Sequence, residues 1–200
     1  MPDPAIRPAH TADLDALYDI CLRTGAAGKD ASELIADPRL LGDLFMAPYV
    51  VLEPERAFVL DDGTGQAQGY VVGALDTRVF EARAEAEWWP AVRARRPGPT
   101  GQGMLDDLFI GYLHGVPAAR EDVVAEHPSH LHIDLLPPFQ SGGWGRRMLD
   151  ALFTALRDGG SIGVHLGVAE ANQRAIGFYE HLGFTELHVD GITRTLGLRL

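Results

Sequence analysis

The sequence holds one cysteine, Cys21, which excludes an internal disulfide. Its place on an apolar helix face marks it as buried filler rather than a nucleophile. Long apolar runs are missing too, since none approaches the ~18 residues that a membrane span requires. The opening residues, MPDPAIRPAH, carry no apolar signal segment, so a cytoplasmic protein is expected. Positive charge is scarce: 17 Lys and Arg stand against 28 Asp and Glu, for a formal net charge of −11. That balance argues against nucleic acid or an anionic membrane as partner. Arg93, Arg95 and Arg96 form a local basic run that reads as a solvated helix end. Metal-ligand spacing is lacking as well: His130 and His132 stand two apart with no cysteine or third ligand in step, so no metal is expected.

With 46% apolar and 22% charged residues, 200 residues suffice for one globular domain spanning 1–200. Residues 5–7 read as a short strand. Thr11 reads as a helix N-cap, Leu14, Leu17, Tyr18 and Cys21 as a buried helix face, and Gly25 as its stop. Short helices are expected at 33–36, capped by Ser32, and at 40–46, ending before Pro48. Residues 57–60 and 68–75 read as hairpin strands around Asp61-Asp62-Gly63-Thr64-Gly65. Gly69, Gly73 and Ala74 keep the second strand small, which suits close approach by another backbone or a ligand. Residues 78–128 differ from their surroundings. Helical pieces at 80–89, 104–113 and 118–126, broken at Arg96-Pro97-Gly98-Pro99, read as an insertion, a lid or a substrate wall. Further strands are expected at 162–168, 184–189 and 192–200, the last two antiparallel around Asp190-Gly191. A helix at 171–182 is stopped by Gly183.

The most informative stretch runs from His130 to Leu156. It begins as a strand (Leu131, Ile133, Leu135, Leu136), passes Pro137-Pro138 and enters a glycine-rich turn from Gln140 to Gly145. It ends in a helix that places Met148, Leu149, Leu152, Phe153 and Leu156 on one face. Such a strand, turn and helix aims unpaired backbone N–H groups, and the positive end of the helix dipole, at an anion. The glycines admit a ligand close to the backbone, and Arg146 and Arg147 add charge beside it. The stretch reads as a pyrophosphate cradle. No lysine follows the glycines, which argues against a nucleoside-triphosphate loop, and no G-x-G-x-x-G weakens a dinucleotide reading.

Gln140-x-x-Gly143-x-Gly145 resembles the Q/R-x-x-G-x-G/A loop of the GNAT acetyltransferases. A second segment, Asn172-x-x-Ala175-x-x-Phe178-Tyr179-x-x-Leu182-Gly183-Phe184, resembles that family's closing motif. The two cover roughly residues 128–188. Gly69-Tyr70-x-x-Gly73-x-x-Asp76-x-x-x-Phe80, Trp89-Pro90 and His132-Ile133-Asp134 are similar to the acetyltransferase-like C-terminal domain of O-GlcNAcases. This chain keeps the loop residues Gln140, Gly143 and Gly145, whereas the animal domain has a degraded loop. Two hundred residues leave no room for a glycoside hydrolase portion as well, so glycosidase activity is not expected of them.

The resemblance implies an α/β GNAT fold: a mixed, mostly antiparallel sheet, splayed where the cofactor enters, with helices on both faces. It implies acetyl-CoA as cosubstrate, bound by Gln140, Ser141, Gly142, Gly143, Trp144, Gly145 and Arg146, with Asn172 from the second motif. The backbone of Leu135 and Leu136 would pair with the pantetheine amides, and the Leu136 N–H is taken as oxyanion donor. Tyr179 matches the position of the acid that protonates the leaving thiolate. An ordinary thiol titrates near ~8.5 and tyrosine near ~10, so tyrosine holds a proton to give at neutral pH.

An acceptor amine of ordinary pKa, ~10.4, must lose its proton before it attacks. Asp134 on the central strand and Asp76 at the end of its neighbour are candidates to hold a cationic amine or relay that proton. The plainer alternative for each is a carboxylate satisfied by backbone N–H groups. His132 shares a strand face with Asp134 and reads as a core histidine. Trp89, with Trp88 and Tyr112, is a candidate wall for the acceptor. The expected activity is acetyl transfer to a cationic amine, either a small molecule or an exposed side chain. Two rivals remain: a non-catalytic module that binds CoA or a peptide, and a nucleotide-binding Rossmann domain.

Overall fold

Strand β1 (Ala5–Pro8) leads into helix α1 (Leu14–Thr24) through a single 3-10 turn at Thr11–Asp13. The cap is not the expected Thr11. The Asp13 carboxylate accepts the His10 N–H at 2.8 Å and is gripped by Arg7 at 2.8 Å, so an acid in the first turn organises the helix start. A computed structural model describes residues 3–101 and 103–200. Residues 33–36 form a turn rather than the expected helix. The N–H groups of Ala36 and Asp37 donate to the buried Asp106 carboxylate at 3.0 and 3.1 Å, which diverts them from any helical ladder. Helices α2 (Leu40–Phe45) and α3 (Ala47–Leu52) follow. Pro48 sits in the first turn of α3, where a missing N–H costs nothing, so it begins a helix instead of marking a stop.

Strands β2 (Ala57–Asp61) and β3 (Ala67–Ala74) make the expected hairpin. The helical segment then runs as α4 (Thr77–Arg83), a π turn at Ala84–Trp88, α5 (Trp89–Arg95), α6 (Met104–His114) and α7 (Glu121–Glu126). Phe80, Ala84, Trp89, Val92, Ile110 and Leu113 share one core with α1 to α3, so this segment is a wall of the fold. Its basic run is not merely solvated. Arg96 is 8% exposed and pairs with Asp37 at 2.6 Å and Asp43 at 2.8 Å, and Asp43 also accepts the Tyr18 hydroxyl at 2.5 Å.

Strand β4 (Ser129–Leu135) leads through the glycine turn to α8 (Trp144–Asp158). After it come β5 (Gly163–Ala169), α9 (Gln173–His181), β6 (Thr185–Val189) and β7 (Thr193–Arg199). The seven strands form one sheet in the order β1-β2-β3-β4-β5-β7-β6. Every neighbouring pair is antiparallel except β4 with β5. Those two pair only at Ser129 with Val164 and His130 with His165, although β4 continues to Leu135 and β5 to Ala169. The sheet therefore splays along its middle.

The strand period of two sorts β4 between the faces. Leu131, Ile133 and Leu135 pack with α8 and α9, while His130, His132 and Asp134 look toward the α1–α7 side. Met148, Leu149, Leu152, Phe153 and Leu156 of α8 are all buried, each stabilising the fold by roughly 1.5–3 kcal/mol relative to an exposed position. Leu152 reaches β3 at Gly73, where an added Cβ would sit 3.1 Å from its methyl groups, so the small residue sets the helix-to-sheet distance.

Candidate active site

The parting of β4 and β5 leaves a cleft of about 590 Å³. One wall is Ile133 to Leu135, and the mouth is the start of α8 from Gly143 to Arg146. Residues 171–175 and Tyr179 face it from the α9 side, and Thr24 and residues 27–29 from α1. Gly143 is the α8 N-cap at φ 78°, a left-handed conformation that glycine adopts without strain. The first helical bond at this end runs from the Arg147 N–H to the Gly143 carbonyl at 3.1 Å. The N–H groups of Trp144, Gly145 and Arg146 precede it and have no partner within the helix. Gly145 answers a different need: an added Cβ would lie 3.1 Å from the Phe178 ring, so α9 packs where a side chain would stand. This cradle suits a diphosphate, with the Arg146 side chain 64% exposed beside it.

Not every loop residue takes the expected part. The Gln140 amide donates to the Leu135 carbonyl at 2.8 Å and its oxygen accepts from Arg174 at 2.6 Å, so it braces β4 to α9. Ser141 and Gly142 are exposed and lie outside the cleft lining. Trp144 lines the cleft and stacks under the Arg147 guanidinium at 4.8 Å. Asn172 lines it too, while its side chain caps α9 by accepting the Ala175 N–H at 3.2 Å.

The choice of Leu136 as oxyanion donor is corrected. Its N–H is used by the Gln68 carbonyl at 2.9 Å. In an antiparallel ladder successive residues face opposite ways, so with Leu136 bonded to β3 the N–H groups of Leu135 and Ile133 turn toward the gap. The N–H groups open to the cleft are therefore those of Leu135 and Ile133, and Ile133 is an added cleft residue.

Asp134 stands on the cleft floor opposite Tyr70 in the β3–β4 register, and accepts that tyrosine's hydroxyl at 2.5 Å. Burial pushes its carboxyl up to about 6, against the pull of the Tyr70 hydrogen bond. Tyr179 is 8% exposed, its ring 5.5 Å from Phe184 and 5.4 Å from Phe178. Among the described residues its hydroxyl makes no hydrogen bond. Burial first, and then the charge of Asp134, push the phenol well above its ordinary value, so it keeps its proton at neutral pH.

The other acceptor candidates lie elsewhere. Asp76 is exposed at the N-cap of α4, where its carboxylate accepts the Val79 N–H at 3.0 Å. It sits past the end of β3 that pairs with His130, away from the cleft end at Leu135, and is a helix cap rather than a cleft acid. Trp89 lines a second cavity of about 440 Å³ on the α1–α7 face, with Tyr49, Phe80, Tyr112, His130 and His132. Trp88 instead donates its indole N–H to the Asp43 carbonyl at 2.9 Å.

His130 is held by Thr77 and Tyr49, each at 2.8 Å, and its ring lies 5.7 Å from that of His165. Burial lowers the pKa of His130, His132 and His165, that of His132 to about 4. Their folded values lie below the unfolded one near ~6.5, so their contribution to stability is present above that pH and is lost as pH falls. Asp134 acts in the opposite sense: its raised value contributes stability at low pH that is lost as pH rises through about 6. The folded state is therefore expected to weaken between pH 6 and 4. Asp134→Asn, which removes the opposing contribution, should steepen that loss in thermal melts across the same range.

Sequence reasoning missed Thr24, Tyr70, Ile133 and Arg174, and the turn at residues 27–29. Tyr70 stood in the Gly69-to-Phe80 pattern, but nothing local showed that it pairs with Asp134 across the ladder. The 27–29 turn lies more than a hundred residues from the glycine loop and carried no motif.

A cleft at a sheet splay, with a glycine turn and helix N-terminus at its mouth, is the layout that the sequence resemblance leads one to expect. The family model for the acetyltransferase (GNAT) family matches residues 35–184, and the chain belongs to that family. The crystal structure of SsHAT is similar at a TM-score of 0.93 and 44% identity, over 99% of this chain and 98% of that one. Protein O-GlcNAcase of Rattus norvegicus is 25% identical over 185 residues, or 91% of this chain. The chain spans only 20% of that relative's length. The polyamine N-acetyltransferase of Drosophila melanogaster shares the fold at a TM-score of 0.60 and 18% identity, over 99% and 100% of the two chains.

Proposed function

We propose that the chain, acting as one domain, transfers an acetyl group from acetyl-CoA directly to an amine, without an acyl-enzyme. The observation that carries this reading is the open gap between β4 and β5, with the α8 N-terminus at its mouth and, on its wall, Tyr179, whose hydroxyl has no partner among the described residues. Acetyl-CoA supplies an activated thioester. The N–H groups of residues 144–146 and Arg146 hold its diphosphate, and the gap-facing backbone of Ile133 and Leu135 pairs with the pantetheine arm. The Leu135 N–H donates to the thioester oxygen as charge develops there. Tyr179 gives its proton to the departing thiolate.

The acceptor reaches the thioester from the α1–α7 face, through the cavity walled by Trp89 and Tyr112. On that face Asp134 is the carboxylate at the cleft, which favours a cationic amine and gives its proton somewhere to go. The Drosophila polyamine enzyme, an N-acetyltransferase of the same fold, is consistent with that acceptor class. Asp134 must be ionised for this, so kcat/KM for the acceptor is expected to rise with pH through about 6. Asp134→Asn should remove that limb and raise the acceptor KM. An unchanged profile and KM would assign Asp134 to structure alone.

One observation favours a second reading, a module that binds without turnover. Gln140 occupies the Leu135 carbonyl that would otherwise meet the pantetheine arm. On the catalytic reading this side chain swings aside when the cofactor enters.

A further inference from the structure

The turn that faces the cleft from the end of α1 carries the one lysine of the chain, Lys29. Ala26 and Lys29 exchange both backbone hydrogen bonds, at 2.9 and 3.1 Å. The two residues between them, Ala27 and Gly28, sit at φ 52° and 84°. Ala27 is the only non-glycine residue with positive φ among those described, a conformation that persists only where the surroundings enforce it. One bond and one close approach frame the turn. The Gly28 N–H donates to the Thr24 carbonyl at 2.9 Å, and an added Cβ on Gly28 would stand 3.1 Å from the Asn172 amide. A firmly held turn thus presents Lys29 at the cleft that also contains Asp134 and Tyr179.

The Lys29 side chain is exposed and, among the described residues, its ammonium makes neither an ion pair nor a hydrogen bond, in a chain with 28 acidic side chains. Most of the arginines are paired, and a lysine with only a structural task would be expected to find one of these acids. From its place and its lack of a partner we infer that Lys29 is an internal acetyl acceptor, modified by the protein's own cleft when no external amine is bound. The inference rests on the acetyl-CoA reading above. The neutral Nζ attacks the thioester carbonyl, an amide C–N bond forms, and the C–S bond breaks. The amine proton passes to Asp134 or water, and the thiolate takes a proton from Tyr179. The tether keeps the amine beside the thioester, so no second substrate has to be captured. The product removes the charge of Lys29 and leaves a neutral amide at the cleft, which makes the modification self-limiting at one group per chain.

The test is intact-mass spectrometry and peptide mapping after incubation with acetyl-CoA alone, beside calorimetry of acetyl-CoA binding. The expected result is one added acetyl group, mapped to Lys29 and suppressed by a saturating acceptor amine. It should be absent in Lys29→Arg, which keeps the cation, and slowed at least ~10-fold in Tyr179→Phe. Acetyl-CoA binding and amine turnover without a Lys29 adduct would overturn this inference and leave the acetyltransferase reading standing. An adduct that forms equally fast in Tyr179→Phe would overturn it too, as simple chemical acetylation. No acetyl-CoA binding at all would sink both.

Discussion

Replacing Tyr179 by Phe should lower turnover ~10²–10⁴-fold while leaving acetyl-CoA affinity nearly unchanged, the range expected when a general acid is removed. The substitution preserves the ring that packs at 5.5 Å from Phe184 and 5.4 Å from Phe178, and deletes only the hydroxyl. That hydroxyl has no protein partner among the described residues, so its removal strands no buried donor or acceptor and should cost little stability. Steady-state kinetics with calorimetry separates the two effects, because an acid used only in the transition state lowers kcat and kcat/KM together. A variant within about threefold of the parent, far short of the loss expected for an acid, would make Tyr179 a packing residue.

Gly143→Asp is expected to weaken acetyl-CoA binding by at least ~1–3 kcal/mol, or roughly 5- to 150-fold. The position is the N-cap of a 15-residue helix, with no heavy atom within 4 Å of an added Cβ, so there is room for the side chain. What changes is charge. A carboxylate would sit where the helix dipole and free N–H groups receive the diphosphate, adding like-charge repulsion and competing for the donors. Asp and Asn tolerate the left-handed backbone better than most residues, which keeps the strain at φ 78° small. Gly143→Asn controls for shape and should retain much more affinity. If Asp and Asn bind acetyl-CoA as tightly as Gly, the diphosphate is not held at this turn.

The fold was legible where chemistry and period coincide. The apolar stripe of α8, the glycine turn before it and the closing Asn172-to-Phe184 motif fixed the second half, because each is a local pattern with one good structural answer. The first half was harder. Pro48 reads equally as a stop or a start, and only packing against the sheet chooses. Residues 33–36 are helical by composition, but the ladder is lost at Ala36 and Asp37, whose N–H groups go to Asp106, some seventy residues away and invisible to any local rule. The site divides the same way. Tyr179 and Gly143 follow from motifs, whereas the exchange of Leu136 for Leu135 depends on which residue of β4 bonds to Gln68. Asp76 at the end of β3 reads either as an acceptor ligand or as a carboxylate satisfied by backbone N–H groups, and it is the second, a cap, because a strand end and a helix start share the same residue types. Lys29 and Tyr70 enter the site only through tertiary approach.

Thiol-coupled detection of CoA release, run with acetyl-CoA and a panel of primary amines that includes agmatine and polyamines, decides between turnover and binding alone. The expected result is amine-dependent release that rises with pH through about 6 and collapses in Tyr179→Phe. Tight acetyl-CoA binding with no amine-dependent release from any member of the panel would contradict it, and would leave the cleft as a binding site without chemistry.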